Sequence, residues 1–105
     1  MQGNGRGLLM KEKAIQNKIV QYLKQQPDTW FFKTHGGMYQ VAGIPDILLC
    51  YMGHFVALEI KRPGEKPTKL QEKVLKDIQE AGGISVVVHS LLDVKSVLDT
   101  LTKEG

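Results

Sequence analysis

Gly43-Ile44-Pro45-Asp46-Ile47-Leu48-Leu49-Cys50-Tyr51-Met52-Gly53-His54-Phe55-Val56-Ala57-Leu58-Glu59-Ile60-Lys61 reads as a β-hairpin with charged residues at its open end. Residues 47–51 and 55–58 are apolar runs of strand length. Met52-Gly53 separates them, and a two-residue loop with glycine second suits a primed hairpin turn. With that turn, Tyr51 faces His54. Counting outward, Asp46 faces Glu59. Directly opposed residues hold their β-carbons roughly 5 Å apart, and two like charges there destabilise the pair unless something positive bridges them. Side chains alternate along a strand, so Glu59 and Lys61 share a face while Ile60 points away. The Ile60 carbonyl lies between them as a further oxygen donor. Two carboxylates and a lysine inside segments that otherwise belong to a core point to a cation between the carboxylates.

The remaining elements follow from periodicity. Residues 8–26 repeat Ile15, Ile19, Tyr22 and Leu23 at helical spacing, and Pro27-Asp28 ends that helix. Residues 30–32 are a short strand candidate, His35-Gly36-Gly37 a turn, and residues 38–42 a second strand candidate. After a polar loop with two prolines and a glycine, Thr68-Lys69-Leu70-Gln71 has the form of a capping box. The helix it opens carries Leu70, Val74, Ile78 and Ala81 on one face and stops at Gly82-Gly83. Residues 84–89 form a β-branched strand and 93–101 a last helix. The order reads α-β-β-β-α-β-α, an α/β fold with a mixed sheet flanked by helices.

Glu12 lies within about 60° of Ile15, Ile19 and Leu23 at roughly 100° per residue, and Gln16 lies about 40° to its other side. Glu12 is therefore on the core-facing stripe, where a carboxylate needs a cation or strong donors. The plainer alternative is a first-turn acid that reaches solvent and favours the helix dipole.

Composition bounds the rest. The 105 residues make one domain, with a core over about 8–102 and frayed ends. A net charge of +3 and a pI near 9.0 permit a polyanionic partner without requiring one. Cys50 is the lone cysteine, so an intrachain disulfide is excluded; its apolar strand makes it inert core. With one cysteine, and with His54 and His89 lacking ligand spacing, there is no zinc set. No apolar run approaches ~18 residues, and the first seven residues carry no hydrophobic signal region, so a soluble, intracellular protein is expected. Trp30, Phe31 and Phe32 read as core, or alternatively as part of a dimer face.

Gly-Ile-Pro-Asp followed by Glu-Ile-Lys resembles the Pro-Asp…(Asp/Glu)-x-Lys signature of restriction-endonuclease-like nucleases. More narrowly, the chain is similar to the virus-type replication-repair nuclease (VRR-NUC) group from about residue 12 to 101. The ordered set is Glu12 with Gln16 four residues on, a Gly-Gly turn, Gly43 to Asp46, Glu59 to Lys61, and Gln71 early in the next helix. A lone Glu-x-Lys is weak evidence, whereas the ordered set is specific. The resemblance implies an αβββαβ core with a C-terminal helix. It implies magnesium dependence, with manganese as a substitute, and phosphodiester hydrolysis by a homodimer on branched DNA such as four-way (Holliday) junctions. A flap- or nick-type repair nuclease and a catalytically silent nucleic-acid-binding module are the alternatives. A cytoplasmic location is expected, and if the chain is virus-encoded, it would act in the host cell.

Carried onto this chain, the resemblance makes Asp46, Glu59 and the Ile60 carbonyl the metal ligands, and Glu12 a further ligand through water or a second ion. Lys61 would orient or deprotonate the attacking water. Gln16 would support the site from behind. Gln71 would either touch the site or only cap its helix. His35, Arg62, Lys66, Lys69, Lys73 and Lys76 are DNA-contact candidates, although Glu72, Asp77 and Glu80 interleave with the helical lysines as on a plain solvated helix. No membrane and no organic cofactor are expected.

Overall fold

The computed structural model describes residues 11–34 and 41–104. Its elements run α1 (Glu12–Lys24), β1 (Thr29–Lys33), β2 (Ile47–Tyr51), β3 (His54–Ile60), α2 (Lys69–Glu80), β4 (Ile84–Val88) and α3 (Leu91–Glu104). This is the expected α-β-β-β-α-β-α order. The strands form one sheet in the order β1-β2-β3-β4, antiparallel except for the parallel β3–β4 pair. A parallel pair needs a crossover connection, and α2 supplies it.

The hairpin has the expected register: Tyr51 pairs with His54 and Ile47 with Leu58. Met52 and Gly53 have φ of 49° and 85°, the two positive values of a type I′ turn. One sheet face carries the main core. Ile47, Leu49, Val56, Leu58 and Ile60 pack there against Ile15, Ile19 and Leu23 of α1 and Val94 and Leu98 of α3. On the other face α2 packs on β4, with Ser85 Oγ donating to the Leu75 carbonyl at 2.6 Å and Gln79 Nε2 to the Ser85 carbonyl at 3.0 Å.

α2 begins with the expected capping box: Thr68 Oγ1 accepts the Gln71 N–H, and Gln71 Oε1 accepts the Thr68 N–H. It ends in a Schellman arrangement, with Gly82 at φ 100° and bonds from Gly83 N–H to Ile78 O and from Gly82 N–H to Gln79 O. α3 starts two residues before the expected Asp93, because Ser90 Oγ accepts the Asp93 N–H and sets the cap at Ser90.

Three expectations change. Of the second strand candidate, residues 38–40 lie outside the described residues, Val41 is irregular and Ala42 is in a turn. Cys50 is exposed rather than core. Trp30 and Phe32 are exposed too, and only Phe31 packs on the core. The reason is shared: α2 packs on β4, so Trp30, Cys50 and Phe55, opposed in register across β1, β2 and β3, lie on an uncovered half-face.

Candidate active site

The Gly43–Asp46 loop delivers Asp46 to the hairpin's open end. A turn closed by Ile44 N–H on Val41 O places Gly43 at φ 84°, the left-handed third position that favours glycine. A β-carbon there would also sit 2.7 Å from Leu70 Cγ, because the loop presses on the start of α2. Thr34 ties the loop to β1, its N–H donating to Asp46 O and its hydroxyl to Pro45 O. Asp46 is buried, and its Oδ2 accepts the Ile60 N–H at 2.6 Å. The carboxylate thus takes the place of a ladder carbonyl where the antiparallel pairing ends. Gly43→Ala is expected to destabilise the fold by about 1–3 kcal/mol, from a strained φ and a contact that must give. A denaturant midpoint unchanged from the native chain contradicts this.

Glu59 sits on β3 one step outside the last β2–β3 pair, opposite Asp46. It is 2% exposed, and Lys61 Nζ approaches its Oε2 at 3.8 Å. Glu59 and Lys61 therefore share a face as alternation requires. Asp46, Glu59 and Lys61 come together at one end of the sheet, two buried carboxylates beside one ammonium.

Glu12 is in the first turn of α1 and half-buried. Burial raises its pKa above the ordinary glutamate value, and a hydrogen bond shared with Glu65 raises it further. The Lys61 charge opposes that rise, while the Glu65 and Asp46 charges add to it. Glu12 is thus within electrostatic reach of both Asp46 and Lys61.

Glu65 is a neighbour of the site that sequence reading missed. Arg62-Pro63-Gly64-Glu65 is a type II turn, with proline second, Gly64 third at φ 89°, and Glu65 N–H bonded to Arg62 O. Arg62 closes on Glu65 with its own N–H at 3.0 Å and with Nη2 at 2.7 Å. The Arg62 guanidinium, its backbone N–H and then the Glu12 carboxyl hold the Glu65 pKa down at about 2. The Pro-Gly pair was the available signal, because such a turn brings its first and fourth residues together.

The other candidates fare differently. Gln16 stands one turn beyond Glu12 and is half-buried. Gln71 spends its side-chain oxygen on the cap of α2, which favours the capping alternative. His35 lies outside the described residues. Arg62 is engaged by Glu65, and Lys66 and Lys69 are exposed. Lys73 pairs with Asp77 at 2.9 Å and Lys76 with Glu80 at 4.0 Å, as on a solvated helix. His89, which had no assigned role, stands beside Lys61 with Nδ1 3.1 Å from the Lys61 carbonyl.

Neither a protein-family model nor a curated protein matches the chain. A solved structure described as "VRR_NUC domain protein" aligns with it at a TM-score of 0.76 and 23% identity, over 92% of each chain. The fold is that of a VRR_NUC domain. On this fold the expected restriction-endonuclease-like core is present, with Asp46, Glu59 and Lys61 together at one end of the sheet.

The VRR_NUC frame raises the question of a metal ion. Among the described residues no three His, Cys, Asp or Glu side chains cluster as a ready-made cage. The oxygen atoms that could hold an ion are instead those of the two buried carboxylates, Asp46 and Glu59, and the Ile60 carbonyl. Magnesium keeps several waters and takes one or two carboxylates plus substrate phosphate, so this set fits it. Manganese also favours oxygen donors. The set lacks the nitrogen and sulfur ligands of a structural zinc site.

Proposed function

We propose that the chain is a magnesium-dependent nuclease that hydrolyses phosphodiester bonds of DNA, with branched DNA such as four-way junctions as substrate. The observation that carries the reading is the buried Asp46–Glu59 pair beside the half-buried Lys61, with Asp46 held on the Ile60 N–H at 2.6 Å and Lys61 3.8 Å from Glu59. Asp46, Glu59 and the Ile60 carbonyl would hold the ion. The chemistry a divalent ion supplies there is charge neutralisation on the phosphodiester and a more acidic water. Lys61 orients the attacking water and balances charge on the phosphate as it develops. Glu12 completes the acidic rim through a water, with Gln16 behind it. The excess of basic residues attracts a polyanion.

A homodimer suits cutting both strands of a junction. The half-face of Trp30, Phe32 and Phe55, which are 65%, 55% and 46% exposed, supports that assembly. Apolar patches of this kind mark interaction sites. Trp30→Glu is expected to convert a dimer to a monomer in sedimentation equilibrium. A native chain that sediments as a monomer at every concentration removes the dimer from the proposal. No described helix is long and apolar enough to cross a membrane. We place the protein's action inside the cell, where its nucleic-acid substrate is.

The test is incubation with a labelled four-way junction, a flap and a linear duplex, each with magnesium, manganese or EDTA. Paired, metal-dependent nicks on the junction are expected. Cleavage confined to the flap moves the assignment to a repair nuclease of other specificity. DNA binding without any cleavage moves it to a silent binding module.

A further inference from the structure

His89 is the last residue before the α3 cap, and four hydrogen bonds fix where it stands. The Lys61 N–H donates to Val88 O at 3.0 Å, carrying the parallel β3–β4 ladder one step past the end of β3. In a regular parallel ladder the next donor, to the Lys61 carbonyl, would be the Ser90 N–H. Ser90 is instead turned into the cap of α3, where its hydroxyl accepts the Asp93 N–H at 3.2 Å. Asp93 Oδ2 in turn accepts the His89 N–H at 2.8 Å, holding the His89 backbone in place. The Lys61 carbonyl is met by His89 Nδ1 at 3.1 Å. A carbonyl only accepts, so Nδ1 carries the hydrogen. The ring supplies the donor that the ladder lost when β4 bent into α3.

We propose that His89 is a positioning residue for Lys61, anchoring the Lys61 backbone so that its ammonium stays directed at Glu59. Parallel register places His89 beside Lys61 and on the same sheet face as Glu59 and Lys61. Lys61 lies just beyond the end of β3, where the ladder alone no longer restrains it on both sides. A small misplacement of a charge that acts on a reacting phosphate costs rate rather than binding. The role in turnover rests on the nuclease reading above; the geometric role does not.

The experiment compares native protein with His89→Ala and His89→Asn, the latter placing an amide N–H near the position of Nδ1. On a DNA substrate that the native protein cleaves, His89→Ala is expected to lower kcat about 10-fold with KM unchanged, and His89→Asn to restore most of it. Nitrogen-15 NMR should show the His89 ring carrying a hydrogen on Nδ1. The Lys61 side-chain nitrogen resonance should move in the Ala variant and return in the Asn variant. Native kcat in His89→Ala overturns the proposal, as does a rise in KM at constant kcat, which means direct contact with DNA. A ring protonated only at Nε2 overturns it as well. If His89→Ala fails to fold, the Asn variant and the ring tautomer still decide. If the native chain cleaves nothing, the nuclease reading fails, while the two NMR readouts still test whether His89 holds Lys61.

Discussion

Asp46→Asn leaves a folded chain whose cleavage of DNA falls by at least about 10³-fold. Asparagine is nearly isosteric, and its side-chain oxygen can still accept the Ile60 N–H that Asp46 Oδ2 accepts now. The hairpin end therefore keeps its shape. What disappears is one of two buried negative charges directly opposed across β2 and β3. Without an ion that change relieves repulsion, so the metal-free variant is expected to melt at or above the native temperature. Magnesium separates the two chains further. At about ten times its Kd an ion that binds only the folded state contributes about 1.4 kcal/mol. In a domain of this size that raises the native melting temperature by about 5–10 °C. The variant is expected to show almost none of this rise. A magnesium-induced rise of equal size in Asp46→Asn, or retained cleavage, removes Asp46 from the site.

Lys61→Ala should be equally inactive and yet respond to the ion in the opposite way. Its Nζ is 3.8 Å from the Glu59 carboxylate, which is almost wholly buried, while the Lys61 side chain itself retains 14% exposure. Deleting this ammonium takes positive charge from a buried acid, and we expect a loss of about 1–3 kcal/mol in metal-free protein, below the full cost of breaking a wholly buried pair. Magnesium then restores part of what the lysine supplied, so the melting temperature of Lys61→Ala should rise by more than that of the native chain. Turnover does not return, because the ion leaves the water without its orienting group. Calorimetry of magnesium binding on both variants, beside the cleavage assay, checks the pair of predictions. Wild-type cleavage by Lys61→Ala would falsify the role assigned to Lys61.

Local signals carried much of this architecture. The hairpin register follows from turn length and strand alternation, both local, and those brought Asp46 opposite Glu59 and put Lys61 on the Glu59 face. The cap of α2 and its glycine stop were equally local. Helical periodicity placed Glu12 on the inward stripe, though not what it would meet.

What the sequence could not decide was how far the covering layers extend and which distant segments meet. Trp30, Phe32 and Cys50 are as apolar as the core residues beside them, and only the placement of α2 over β4 left them uncovered. Glu65 reached Glu12 because a turn after β3 curls back to the start of α1. His89 reached Lys61 through the register of a parallel pair joined by a helical crossover. An antiparallel hairpin writes its register in its turn. A parallel pair owes its register to the packing of the intervening helix, so the sequence alone determined the acidic pair and its lysine, and only the tertiary structure decided which histidine stands beside them.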